Sequence, residues 1–432
     1  MPQEPEWINI VRSLPKGSFL SNYIEMMSVL ETSLQYDFWA AMFCLSNTVG
    51  RSVVVDRPRA PVRLNLYVIL TAESGVTRKS TAVNTAARIM EKFNERTGDR
   101  ISIINTKTTP ERLEQVLSVS STKAGNASFS FIVSELVTAL GSERYNLAMP
   151  GLLTDLFDSP AIRRTTGTVS GGSQELRNVY GTFLSASTPS WLTRAINPDV
   201  IEGGFTSRVF FVISDAPKQR VAWPSRRDDE SEEQLVDQLV GIYDGIRSQL
   251  TTRSPEAKFV LDQAALKTFQ EWYETRELGI DPFTSSFDAR EDGHILKTAA
   301  LLAINRNSGV IGTSDVRDAL ILITETVKQR SVELLSYQVN NALIDALERI
   351  RSVLLQQPTG TKHGELLRKI QTVAKAKRAN VILDTMHHLG MVKKFAYGHT
   401  AQGRPGVMWT PQPALKSADY MKIMLENLEG AE

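Results

Sequence analysis

LNLYVILTAESGVTRKSTAVNTAARIMEKFNERTG, residues 64–98, is the stretch on which the reading of the fold turns. LNLYVILTA (64–72) is continuously apolar and β-rich, as a strand buried on both faces must be. ESGVTRKS follows as a Gly-containing turn, and TAVNTAARIMEKFNERTG then reads as a helix. A strand, a loop, Lys-Ser and a helix form the layout of a phosphate-binding P-loop. In such a loop the backbone N–H groups and the helix N-terminus face phosphate oxygens, a lysine neutralises their charge, and a hydroxyl holds Mg²⁺. Gly75, Arg78, Lys79, Ser80 and Thr81 are therefore the candidate ATP-binding residues, with Ser80 also a candidate ligand of Mg²⁺. The full pattern G-x-x-x-x-G-K-[ST] is not met, because Glu73 and Arg78 stand at its two glycine positions. The second glycine normally lets the backbone approach the phosphate, so Arg78 has to reach the same geometry with a side chain attached.

Outward from this junction, strands alternate with helices. ISIINTK (101–107) reads as a strand, Thr109-Pro110-Glu111 opens a helix, and a Ser-rich loop (118–128) leads into the strand FSFIVSE. A helix at 150–158, the strand YGTFLSASTP (180–189) and the strand SRVFFVISD (207–215) follow. The pattern predicts an α/β fold with a mainly parallel sheet flanked by helices, of the RecA/AAA+-like P-loop type. Glu135 ends an apolar β-run, where a nucleotide hydrolase keeps the carboxylate that orients water, and it is a candidate Mg²⁺-side group too; Ser134 stands where a metal-side Asp is usual. Ser187 is the candidate polar sensor, and Arg208 the candidate arginine that stabilises phosphoryl transfer, often from a neighbouring subunit.

Residues 20–50 keep helical spacing, RSVVVD (51–56) is a short strand, SRRDDESEEQ (225–234) reads as a solvated linker or lid, and the pattern is helical from there to about 350. The chain of 432 residues has room for roughly two to four domains. The expected modules are an N-terminal helical collar (1–60), the ATPase core (61–224), a helical lid (225–350), a winged helix (351–415) and a tail helix (416–432). Net charge is +1, yet Thr361–Thr410 carries nine Lys/Arg against two acids. Within it, HGELLRKIQ and NVILDTMHHLG read as helices, and MVKKFAYG and GVMWTP as a hairpin. This layout suits a winged helix on duplex DNA, with Lys393, Lys394 and the wing-tip Arg404 facing phosphates. Arg163 and Arg164, in the polar stretch 161–174, are candidates for tracking single-stranded DNA in a central pore. Cys44 stands alone, so an intramolecular disulfide and a cysteine-based zinc site are both excluded. No apolar run approaches the ~18 residues of a membrane span, and Glu4 and Glu6 sit where a signal peptide would be basic, so a cytoplasmic location without a membrane partner is expected.

On AESGVTRKST (72–81), FIVSEL (131–136), LLTDLFDSP (152–160), TFLSASTP (182–189), GGFTSRVFFV (203–212) and HILKTAALLAI (294–304), the chain resembles phage-, plasmid- and island-borne P-loop ATPases related to primase-associated helicases, a family often described only as a domain of unknown function. The resemblance covers roughly residues 20–310. It implies ATP binding by Gly75, Lys79 and Ser80, hydrolysis assisted by Glu135, and Arg208 as a finger or sensor arginine. It also implies a replicative DNA motor of a mobile element in a bacterial host, nucleoid-associated, working as a homo-oligomeric ring such as a hexamer, with a primase or other replication protein as a possible partner. A non-translocating ATPase switch and a DNA-binding scaffold with a degenerate P-loop are the alternatives.

Overall fold

The computed structural model describes residues 4–98, 100–140, 148–165, 174–195, 200, 204–223, 229–251, 255–279, 282–371, 376–399, 405–416 and 424. The chain divides into two compact units, Met1–Leu334 and Leu335–Glu432.

The first unit is built on five strands: β1 (Tyr67–Thr71), β2 (Ser102–Ile104), β3 (Ser128–Val133), β4 (Tyr180–Ser187) and β5 (Val209–Ile213). They lie in the order β2-β3-β4-β1-β5, and every pairing is parallel. Each residue of β1, β4 and β5 is buried, which explains runs that are apolar or small without alternation. The register sets Thr71 opposite both Ser187 and Ile213, so β1, β4 and β5 end together at one edge of the sheet.

Helices cover the faces. The first of them, α1 (Leu34–Val49), is buried from Tyr36 to Val49, as a helix apolar nearly all round must be. Its Trp39 meets Phe210 of β5 edge-on, with ring centroids 5.0 Å apart. Next, α2 (Lys79–Arg96) buries Ala82, Val83, Ala86, Ile89, Met90 and Phe93, the stripe its sequence spacing predicts. At the start of α3 (Pro110–Ala124), Thr109 accepts the Arg112 N–H at 3.2 Å. The same helix stops at Gly125, whose φ is 70°. This is a mixed α/β architecture with a parallel sheet flanked by helices.

Four expectations are corrected. The helix expected over 20–50 is two helices, Phe19–Met27 and Leu34–Val49, separated by residues 28–33. The Ser-rich stretch from 118 is helical as far as Ala124, and Ser121 packs inward. The acidic stretch at 229–234 is the first turn and a half of α4 (Asp229–Ser248), where carboxylates suit a helix N-terminus. There Glu232 is buried against Arg88 (2.9 Å) and Lys92 (3.4 Å) of α2 rather than solvated. Finally, the region expected to be helical to 350 contains strands Ala257–Leu261 and Val310–Ile311, which join Val53–Val55 and Val62–Arg63 in a second, four-stranded sheet. The HILKTAALLAI segment lies within α5 (Pro282–Asn305).

In the second unit, strands Thr361–Lys362 and Val392–His399 flank Pro405–Pro411, both antiparallel to it. Helices His363–Ile370 and Ala376–His388 bury Leu366, Ile370, Ile382, Leu383 and Met386 in a core shared with Trp409. Gly390 closes the second helix with φ at 69°. Among the described residues no helix is long and apolar enough to cross a membrane.

Candidate functional site

Strand β1 delivers the chain to the carboxyl edge of the sheet, where open parallel sheets bind ligands. Residues 73–76 are exposed, Thr77 is buried, and α2 begins at Lys79. Two residues turn the loop: Gly75 with φ 78°, and Arg78 with φ 49° and ψ 41°. Arg78 thus adopts the left-handed conformation its glycine counterpart would favour, against the steric preference of an L-residue. Its Nε donates to Glu31 at 3.3 Å, and both groups are partly exposed. Lys79 Nζ folds over the mouth of the loop and donates to the carbonyls of Ala72 (2.8 Å) and Glu73 (3.0 Å). Burial lowers the pKa of this ammonium, and the nearby Glu73 carboxylate opposes the shift. Ser80 is exposed at the first turn of α2, and Thr81 donates its N–H to the Arg78 carbonyl at 2.9 Å. An ammonium held by carbonyls, an exposed hydroxyl beside it and a helix N-terminus form a donor set that fits a polyphosphate with its divalent cation.

The strand order brings two more of the expected residues to this edge. Ser187 ends β4 directly beside Thr71; it is 8% exposed and donates to the Thr188 carbonyl at 3.3 Å. Its own carbonyl accepts from the Ala72 N–H at 3.4 Å, so β4 touches the loop's first residue. Glu135 lies two residues beyond the end of β3, exposed, with Ser134 half-buried before it. Because β4 runs between β3 and β1, Glu135 and the loop flank Ser187 on either side.

Arg208 is not gathered there. It precedes β5, whose first residue pairs with Tyr67 at the start of β1. A full strand length, about 16 Å for five residues at the usual rise, therefore separates it from the loop of its own chain. It is 6% exposed; its guanidinium donates to Asp158 (2.8 Å) and to the Gly204 carbonyl (2.9 Å). Gly204 is at φ +76°, and a Cβ there would come within 2.9 Å of Arg208 Nη1. The sheet's length thus keeps Arg208 from the loop of its own chain.

The polar stretch 161–174 contributes to a two-stranded antiparallel hairpin, Ile162–Thr165 with Gln174–Arg177. Its two arginines differ. Arg163 is ion-paired to Glu114 of α3 and, at 3.5 Å, to Asp155. Arg164 is 78% exposed and meets Glu175 at 3.4 Å, a carboxylate that also receives Arg177 at 2.8 Å. In the second unit Lys393 is exposed, whereas Lys394 pairs with Asp384 at 3.3 Å and lies over the Trp409 ring at 5.1 Å. Arg404 lies outside the described residues.

Sequence reasoning did not single out Tyr36, Thr77 or Glu31, which touch the loop from inside and beside it. No local pattern marks Tyr36, because its partner Thr71 is 35 residues away. Among the described residues no cluster of three or more His, Cys, Asp or Glu side chains stands ready to hold a metal.

No protein-family model matches the chain, and no curated protein does. Among solved structures, the chain is similar to a full-length MCM homolog from Methanopyrus kandleri, at 17% identity and a TM-score of 0.40, over 76% of this chain and 62% of that one.

Proposed function

We propose that the chain is an ATP-hydrolysing DNA motor, a helicase of the replicative type from a mobile element, working as a homo-oligomeric ring. One observation carries the reading: Lys79 closes over an exposed loop at the carboxyl edge of a parallel sheet, with Ser187 and Glu135 on the same edge. In this reading the loop amides and Lys79 bind the phosphates, and Lys79 exchanges its two carbonyl partners for phosphate oxygens. Ser80, with Glu135 nearby, would hold Mg²⁺, which when bound would supply positive charge against the negative charge of the transferring group. Glu135 orients the attacking water and Ser187 fixes it. Arg208, out of reach of its own loop, serves the nucleotide of an adjacent copy. The exposed Arg164 and the basic second unit, read as a winged helix, support contact with single-stranded and duplex DNA respectively. A primase or other replication protein is the partner class this role calls for.

A second reading, a DNA-binding scaffold that no longer hydrolyses ATP, is favoured by Arg78 and Ser134 at positions where hydrolases keep Gly and Asp. ATP turnover by the wild type and by Lys79→Ala, with and without single-stranded DNA, separates the two. Turnover that DNA stimulates and that Lys79→Ala abolishes is the expected result, followed by unwinding of a forked duplex. Saturable nucleotide binding without turnover would leave the scaffold, and turnover without unwinding would leave a switch.

A further inference from the structure

Tyr36 stands in the first turn of α1, fully buried, with its hydroxyl under the loop that leaves β1. The hydroxyl donates to the Thr71 carbonyl at 2.6 Å and accepts from Thr77 Oγ1 at 3.4 Å. Thr71 is the last residue of β1, and Thr77 is the buried residue just before the left-handed Arg78. One oxygen therefore ties the start of the loop to its end. Burial pushes the Tyr36 pKa up, so the group stays a neutral donor at ordinary pH. The same stretch of chain grips the loop's surroundings at two further points. Glu31 takes Arg78, and Asp37 takes Lys218, whose ammonium also donates to Thr32 Oγ1 (2.9 Å) and to the Met27 carbonyl (2.6 Å).

A loop rich in glycine reaches its curvature without steric cost. This one has one glycine and a strained arginine, so its shape depends on contacts made from outside. We propose that Tyr36 is a positioning residue: its hydroxyl clasps loop 72–78 into the shape that receives phosphate before any ligand arrives. The inference rests on the reading that residues 72–81 hold a nucleotide. Preorganisation of this kind acts on affinity more than on the chemical step.

The test uses the full chain and four proteins: wild type, Tyr36→Phe, Thr77→Val and the double variant. Titration with a fluorescent ATP analogue and Mg²⁺ gives Kd, steady-state turnover gives kcat and KM, and thermal melting without nucleotide monitors the fold. Loss of one net hydrogen bond at the loop corresponds to Kd and KM rising about fivefold in Tyr36→Phe, with kcat changed less than about twofold. Thr77→Val weakens binding in the same direction. The double variant binds no more weakly than Tyr36→Phe, because both changes cut one clasp. Unchanged Kd in Tyr36→Phe, with only a lower melting temperature, would overturn the proposal and leave a tyrosine that merely packs. Effects that multiply in the double variant would overturn it as well. A wild type that takes up no nucleotide in the same titration would instead remove the reading on which the clasp rests.

Discussion

Arg163 and Arg164 are neighbours on one strand of the hairpin, so their side chains leave opposite faces. Alanine at each should break a different property. The Arg163 side chain is 21% exposed and its partner Glu114 is 22% exposed, which places the pair between a solvated surface bridge and a buried one. Its loss should cost about 1–2 kcal/mol of stability, between the ~0–1 of exposed pairs and the ~3–5 of buried ones. Arg164 is largely exposed and shares its carboxylate partner Glu175 with Arg177. Its removal should leave the urea midpoint nearly unchanged, as for most solvated ion pairs. What Arg164 has to offer is charge. If it neutralises one phosphate of single-stranded DNA, its loss lowers the slope of log K against log salt by about 0.7. Between about 50 and 200 mM salt that slope changes the ratio of wild-type to variant affinity by roughly two- to threefold. Fluorescence anisotropy of a labelled single-stranded oligonucleotide across that range reads the slope, and urea denaturation reads the stability. A shallower slope in Arg164→Ala alone, with a lower urea midpoint in Arg163→Ala alone, is expected. An unchanged slope in Arg164→Ala, or equal slope changes in both, would refute the assignment of the exposed arginine to DNA.

Glu232→Gln should destabilise the first unit by about 2–3 kcal/mol: the carboxylate is buried, but Arg88 and Lys92 are each about a third exposed and keep part of their solvation. Chemical denaturation of this variant and of Arg88→Gln, alone and combined, checks it; additive losses would show that the two groups do not interact. A pH series tests two buried groups whose slopes oppose one another. Burial raises Asp37 to about 6 against the attraction of Lys218, so from about pH 4 to 6 the native state holds the extra proton and stability falls as pH rises. Burial, with Lys297 nearby, lowers His294 to about 3, so from about pH 3 to 6.5 the unfolded state holds the extra proton and stability rises with pH. The two cancel in the overlap. Asp37→Asn should uncover the histidine, steepening the rise between about pH 4 and 6 by up to about 1.4 kcal/mol per pH unit. Denaturation midpoints that track the wild type across that interval would refute the assignment.

The parallel sheet was legible because burial on both faces leaves a mark in one dimension: runs such as YVILT and VFFVI cannot alternate. Of the second sheet, only Val53–Val55 left a mark, in RSVVVD (51–56). Val53–Val55 pairs with Ala257–Leu261 about two hundred residues later, and Val310–Ile311 offers two residues to the ladder. A two-residue strand is indistinguishable from a turn until a distant partner arrives, and AKFVL (257–261) stands between helices in a stretch whose pattern is otherwise helical. The acidic start of α4 misled for a related reason. A run of Asp and Glu reads as solvated unless the sequence can say that Arg88, Lys92 and Arg96 stand opposite, and that is a fact of packing.

The candidate site divides along the same line. Lys79 and Ser80 were readable because strand, loop and helix are contiguous, and contiguity is what a sequence reports best. Which other residues join them depends on strand order and on which end of a strand a residue occupies. Ser187 closes β4 and so lies beside Thr71, whereas Arg208 opens β5 and so lies a strand length away. That distinction follows from parallel geometry alone. The reason a loop lacking two glycines can keep its shape does not. A left-handed arginine is an unfavourable local choice, and local choices that conflict with the fold persist only where tertiary contacts over-determine them. Here the contacts come from residues 31–37, which the chain places before the strand and the fold places beneath the loop. A glycine-based motif search looks for conformational freedom within the loop, so it overlooks a loop whose conformation is imposed from outside.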